Sequence, residues 1–254
     1  MDERRADRIG WRKKDSIEIP GNYQHRALTE GFVVQRFWHA RKLDLVRRVA
    51  PPVPGGRALD VGCGSGVVAS FLAEQGAIVD AVDSNAEAIE FAKRQFAKDD
   101  LCFHLAPANE LAFPDGSFQR IYCLEVIEHL AADQGVELLR TLRRLLAPNG
   151  QILLTTPNDG GLWPVIERMM DALRLAPRMK GEQHVTRYRL RQLRAVAASA
   201  GLETQRCGRF CGLAPFASVL SWRLAEWLDR LGWRLGHPFG NLLYLCAGKT
   251  KFGH

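Results

Sequence analysis

Residues 59–66 read Leu-Asp-Val-Gly-Cys-Gly-Ser-Gly, an apolar strand end running into three alternating glycines. Gly62, Gly64 and Gly66 carry no Cβ where a strand has to turn sharply into a helix, so backbone amides at the helix start can approach a ligand closely. Residues 77–82 then read as a second buried strand, and Asp83 at its tip can accept two hydrogen bonds from a ribose diol. These features point to a nucleoside. A dinucleotide fingerprint counted from Gly62 needs a small residue where this chain has Val67, so that match is imperfect. Asp60 lies inside the strand end, where a carboxylate repels a pyrophosphate but suits the ammonium of an amino acid. S-adenosylmethionine carries such an ammonium beside a ribose.

The rest of the chain alternates strands with helices. Strands are expected at 57–61, 77–82, 101–105, 118–124, 150–156, 202–209 and 241–248, with Pro148-Asn149-Gly150 as the turn before the fifth. Helices are expected near 67–75, 85–98, 133–147 and 189–200. Before them, 23–49 shows helical spacing in Phe32, Phe37, Trp38, Leu45, Val46 and Val49, stopped by Pro51-Pro52. This order predicts an α/β fold, a doubly wound, Rossmann-like and mainly parallel sheet with the ligand at the carboxyl ends of its strands. The organisation expected is a tail and helical cap over 1–50, then one domain over 51–254 with insertions near 160–188 and 211–238.

On residues 59–66 and on Val82-Asp83 the sequence resembles the class I S-adenosylmethionine-dependent methyltransferases, the first as their glycine-rich signature and the second as their ribose-binding acidic element. The resemblance implies seven strands with an antiparallel seventh. It implies S-adenosylmethionine as cofactor, held by Asp60, Gly62, Cys63, Gly64, Gly66, Asp83, Ser84, Ala108, Asn109 and Glu125. Residues 106–118 resemble the loop that frames the adenine. Pro107 stands where that loop commonly has an aspartate, leaving Asn109 or a backbone carbonyl to take its role, and Gln119 replaces another common aspartate.

Residues 125–129, Glu-Val-Ile-Glu-His, carry the most chemistry outside the glycines. On a turn of helix Glu125, Glu128 and His129 would share one face at the end of the fourth strand. The segment resembles the ubiquinone-biosynthesis O-methyltransferases and, more distantly, methyltransferases of small RNAs, where this element is linked to a divalent metal. By that resemblance Glu125, Glu128 and His129 are candidate ligands for Mg²⁺ or Mn²⁺, with His184 as a further one. The metal-free alternative makes His129, His184 and Glu128 the catalytic set, a neutral imidazole taking the acceptor's proton. His25, His39, His104 and His237 show no convergent partners and read as ordinary.

Net charge is +7 but uneven: +5 over 1–49, −7 over 50–159 and +9 over 160–254. Basic flanks suit an anionic acceptor, a phospholipid surface or a nucleic acid. The stretch 211–238 places Phe216, Leu220, Leu224, Trp227, Leu228, Leu231 and Leu235 at helical spacing, either as a lid packed on its own domain or as an interfacial helix. There is no apolar run of about 18 residues and no charged-then-apolar leader. Six scattered cysteines without paired C-x-x-C spacing read as reduced core thiols. A cytoplasmic protein is expected, with peripheral membrane contact through 211–238. The leading expectation is transfer of a methyl group to a small-molecule hydroxyl on a lipidic acceptor. The alternatives are an RNA methyltransferase, weakened by the lack of an RNA-binding module, and a non-catalytic cofactor-binding protein.

Overall fold

A computed structural model describes residues 20–161 and 185–250. Two helices, α1 (Tyr23–Thr29) and α2 (Val33–Val49), precede β1 (Arg57–Val61), α3 (Val67–Glu74), β2 (Ile78–Asp83), α4 (Ala86–Gln95) and β3 (Leu101–Leu105). The second half runs through β4 (Phe118–Leu124), α5 (Ala132–Leu145), β5 (Leu146–Pro157), α6 (Leu190–Ser199), β6 (Leu202–Phe210), α7 (Ala214–Ala217), α8 (Trp222–Leu235) and β7 (Leu242–Lys249). The seven strands form one sheet in the order β3-β2-β1-β4-β5-β7-β6. The first five are parallel and β7 runs antiparallel to both β5 and β6.

Strands β1, β2, β4 and β5 are buried on both sides, so their residues divide alternately between two cores, whereas the edge strand β3 buries one side only. Tyr122 and Leu124 of β4 join one core with Leu45 and Val46 of α2, Leu72 of α3 and Ile89 of α4. Ile121 and Cys123 join the other, with Leu138, Leu139 and Leu142 of α5 and Leu193 of α6. The sheet is therefore wound with helices on both faces. The order in which strands are added reverses between β1 and β4, and the crevice opened there at the strands' carboxyl ends is where such sheets bind ligands.

Three expectations change in detail. The helix read over 23–49 is two helices, because Glu30-Gly31 closes the first and Phe32 is extended at ψ 147° before the second begins. The Pro148-Asn149-Gly150 turn is absorbed into β5, which starts at Leu146 and shifts register between Phe118 and Arg120 of its neighbour. The helical reading of 211–238 divides into α7 and α8, while most of the 160–188 insertion lies outside the described residues. All six cysteines are free, and Cys63, Cys123, Cys211 and Cys246 are buried.

Ile121 sits fully buried at the centre of the sheet, between β1 and β5. Ile121→Ala should cost about 2–5 kcal/mol, the loss of transfer energy plus the cavity left behind. A fall in the urea midpoint with unchanged slope would register it.

Candidate active site

The bend after β1 is closed by backbone alone. Gly62 and Cys63 both donate to the carbonyl of Val82, at 2.8 and 3.1 Å, and Gly66 donates to the carbonyl of Cys63 at 3.0 Å. Gly62, Gly64 and Gly66 have φ of +72°, +50° and +81°, a region L side chains rarely enter. Space forbids side chains as well. A Cβ on Gly62 would lie 2.3 Å from Val126 Cγ2, and one on Gly66 would lie 2.9 Å from both Ala92 Cβ and the Phe103 ring.

Asp83 ends β2 beside this bend. Its Oδ2 accepts from the Gly64 amide and its Oδ1 from the Asn85 amide, both at 2.8 Å, so the carboxylate is oriented by backbone before any ligand arrives. Asn85 caps α4 by accepting from Ala88. Ser84, between them, is exposed. Ala108 packs at the margin of the second core, and the Asn109 Oδ1 is a buried acceptor without a donor.

Asp60 is 2% exposed, and its Oδ2 has no hydrogen-bond partner. Burial, then the charge of Asp83, pushes its carboxyl up from 3.8 to about 7. Asp60 lines a cavity of about 30 Å³ with Gln24, His39, Lys42 and Leu43, and Gly62, Cys63, Val67, Val68 and Leu124 complete the lining. That volume holds roughly one water. Helix α1 closes the mouth: the His25 amide donates to Ser65 Oγ at 2.9 Å, and the Gln24 amide group lies where a Gly64 Cβ would meet it at 2.5 Å. A larger open depression of about 590 Å³, lined by Lys93, Lys98, Cys102 and His104, flanks edge strand β3 on the surface and has none of these buried charges.

Glu125, Glu128 and His129 do not share one helical face as expected. Only Ile127–His129 forms a turn, of 3-10 type, and Glu125 precedes it with φ +58°. Its amide donates to the Thr155 carbonyl, which directs the side chain to Lys42, where Oε2 meets the ammonium at 2.5 Å. Glu128 instead points inward, 2% exposed, with Oε2 unpartnered. Burial, then Glu125, raises its carboxyl from 4.5 to about 8. His129 is partly exposed at the end of the turn. Among the described residues no group of three or more His, Cys, Asp and Glu is arranged to hold a metal ion. The metal trio expected from the sequence is thus divided by the left-handed kink at Glu125.

His184 lies outside the described residues. Thr186, two residues on, donates from its amide to the Glu128 carbonyl at 3.0 Å and from its hydroxyl to the Leu130 carbonyl at 2.6 Å. The chain therefore returns to the Glu128-His129 turn. Sequence reading missed Gln24, His39 and Lys42, all from the N-terminal helices. Lys42 carried a signal: it occupies an apolar-face position of α2, four residues after Trp38 and four before Val46, and is 7% exposed. His39 is half-buried, and desolvation followed by the Lys42 charge holds its imidazole well below the usual histidine range.

The sheet order with an antiparallel seventh strand, the glycine bend and the acid at the tip of β2 define a class I methyltransferase fold. Residues 34–206 match the family model described as "Methyltransferase domain". The chain belongs to that methyltransferase-domain family. It is 36% identical over 140 residues to a ubiquinone biosynthesis O-methyltransferase of Caulobacter sp. (strain K31), covering 54% of this chain and 50% of the relative. It is 32% identical over 111 residues to the enzyme of that name from Haemophilus ducreyi, covering 41% and 46%. The chain thus spans about half the length of the curated relatives it matches. Among solved structures, an Archaeoglobus fulgidus SAM-dependent methyltransferase superposes with TM-score 0.63 at 19% identity, over 89% of this chain and 99% of that one. Magnesium protoporphyrin IX methyltransferase of Synechocystis PCC 6803 superposes with TM-score 0.60 at 20% identity, over 91% and 94%.

A buried acid whose folded pKa exceeds its unfolded value is more costly when ionised, so it weakens the fold as pH rises. For Glu128 that loss begins above about 4.5, where the unfolded chain ionises, and is complete near 8. Glu128→Gln should be more stable than the parent at pH 8 and lose that part of the slope between those limits, read as denaturation midpoints against pH.

Proposed function

We propose that this protein is an S-adenosylmethionine-dependent methyltransferase that methylates a hydroxyl of a small, lipidic acceptor. The observation that carries the reading is Asp60, a buried carboxylate with one oxygen lacking a donor at the foot of the glycine bend, facing Lys42. That pair is complementary to the two ends of an amino acid: Asp60 would accept from the ammonium and Lys42 would face the carboxylate. Asp83 retains lone pairs for the ribose hydroxyls, and Asn109 Oδ1 would accept from the adenine amino group. When bound, S-adenosylmethionine supplies a methyl group already activated on a sulfonium.

The residues of the chain then have three tasks. The first is alignment of acceptor and methyl, an effect worth roughly 7–11 kcal/mol when geometry is good. The second is exclusion of water, and α1 is placed for it, since Gln24 and His25 close over the bend. Entry of a nucleoside, which needs a few hundred Å³, requires α1 to lift from a space of about 30 Å³. The third is removal of the acceptor's proton. His129, at the end of β4, or His184 would take it as a neutral base. Glu128, buried and raised, would stay largely protonated and hold the floor of that end of the crevice. Oxygen as the atom methylated is supported by the names of the curated relatives. A catalytic Mg²⁺ or Mn²⁺ gains no support from the described residues, where Glu125 already serves Lys42.

Calorimetry with S-adenosylmethionine tests the reading: a saturable isotherm is expected, whereas silence with that ligand and saturation with NAD would overturn it. Binding near pH 6 should release protons, because the ammonium pulls the Asp60 carboxyl back down from about 7. Heats measured in buffers of different ionisation enthalpy would report the release, and Asp60→Asn should abolish it. In methyl-transfer assays over phenolic lipids, Asp83→Ala should fail through loss of cofactor binding. His129→Ala should bind normally and turn over about 10²–10⁴-fold more slowly.

A further inference from the structure

Helix α8 carries apolar side chains on two sides. The face turned to the domain carries Ala225 and Asp229, the latter 1% exposed and 3.5 Å from Arg41 of α2, with Trp222 stacked edge-on against Phe37 at a centroid distance of 4.9 Å. Leu228 and Trp233 pack inward as well, whereas Leu224, Trp227 and Leu235 of the stripe read from the sequence point away. Leu220, just before the helix, is 82% exposed, and Leu224, Trp227 and Leu235 are 39%, 54% and 66% exposed. With 3.6 residues per turn, Leu224, Trp227, Leu231 and Leu235 fall in one band, and Arg223, Arg230 and Arg234 form a row along one border of it. The three arginines are exposed. The helix has two acids, and both are engaged: Asp229 with Arg41, and Glu226 with the indole N–H of Trp222 at 3.0 Å. Neither stands in the apolar band or the arginine row.

We infer that α8 docks this protein onto an anionic phospholipid surface, lying in the interface with Leu224, Trp227, Leu231 and Leu235 among the acyl chains and Arg223, Arg230 and Arg234 on the headgroup phosphates. The argument for a lipid occupant is charge complementarity alongside shape. A continuous apolar band flanked by guanidinium groups only, with a tryptophan between the two, fits an acyl-to-headgroup boundary. No helix among the described residues is long and apolar enough to cross a membrane, so the contact is one of lying on the surface. The helix is fastened beneath by the Arg41–Asp229 pair to α2, which also carries Lys42 and His39 into the crevice. The inference stands apart from the methyl-transfer reading, since either can fail without the other.

Co-sedimentation of the full chain with vesicles of phosphatidylcholine alone and of phosphatidylcholine with phosphatidylglycerol is the test. Binding to the anionic vesicles, weakened by salt, is expected. The triple variant Arg223→Gln, Arg230→Gln, Arg234→Gln should lower partitioning on the order of a hundredfold. Trp227→Ser with Leu231→Ser should abolish it while leaving the melting temperature near that of the parent, because neither side chain is buried in the core. Equal sedimentation with neutral and anionic vesicles, or none with either, overturns the proposal. So does a dimer in sedimentation velocity that Trp227→Ser dissolves, or a melting temperature that collapses in the serine variant, because the band would then be covered by a second copy or by this chain itself.

Discussion

The structure is organised by one bend. Where β1 gives way to α3, three glycines hold the chain in left-handed conformations and the amides of Gly62 and Cys63 share the carbonyl of Val82. Any side chain at Gly62 or Gly66 would collide with Val126, Ala92 or Phe103, so the bend is as much a packing constraint as a conformational one. Because it is tight, α3 packs back onto the sheet within a few residues, and Asp60 and Asp83 come to lie at the same end of adjacent strands. Their mutual repulsion and the burial of Asp60 form an electrostatic demand that a cation answers.

The second organising element comes from outside the sheet. Helices α1 and α2 bring Gln24, His39 and Lys42 over the carboxyl ends of the strands, so the wall opposite Asp60 is built by the N-terminal segment. Lys42 and Glu125 form a pair whose cation is nearly buried and whose anion is about a quarter exposed. Such a pair is weak evidence of stabilisation, since desolvation offsets much of the attraction. Its consequence here is geometric. It holds the left-handed Glu125 apart from the buried Glu128, with Asp60 on one side of the pair and Glu128 and His129 on the other.

The same N-terminal helix links these events to the surface. Arg41 and Lys42 are neighbours on α2, the first paired with Asp229 of α8 and the second with Glu125. The helix buries Asp229 against Arg41 and packs Trp222, Ala225 and Leu228 beside Phe37, while Leu224, Trp227 and Leu235 stay exposed.

Much of this was legible in the chain. The glycine spacing, the acid two residues before the first glycine and the acid at the tip of the next strand are local patterns whose chemistry depends on neighbours in sequence. The central strands were legible for the same reason, since burial on two faces writes itself as continuous apolar runs. The metal trio was not. Its reading assumed a helical turn from Glu125 onward, whereas Glu125 is left-handed and its carboxylate pairs with a lysine 83 positions earlier in the chain. The orientation of α8 was equally out of reach: a stripe of leucines states that a helix is amphipathic, but which face meets the domain is decided by Arg41 and Phe37, partners distant in sequence. Residue order by itself determined the bend, the acids and the sheet, because these rest on local backbone sterics and periodicity. Tertiary structure alone decided what faces Asp60, which carboxylates are spent on cations and which side of α8 meets solvent, because those outcomes follow from desolvation and contact between segments that the sequence does not order relative to one another.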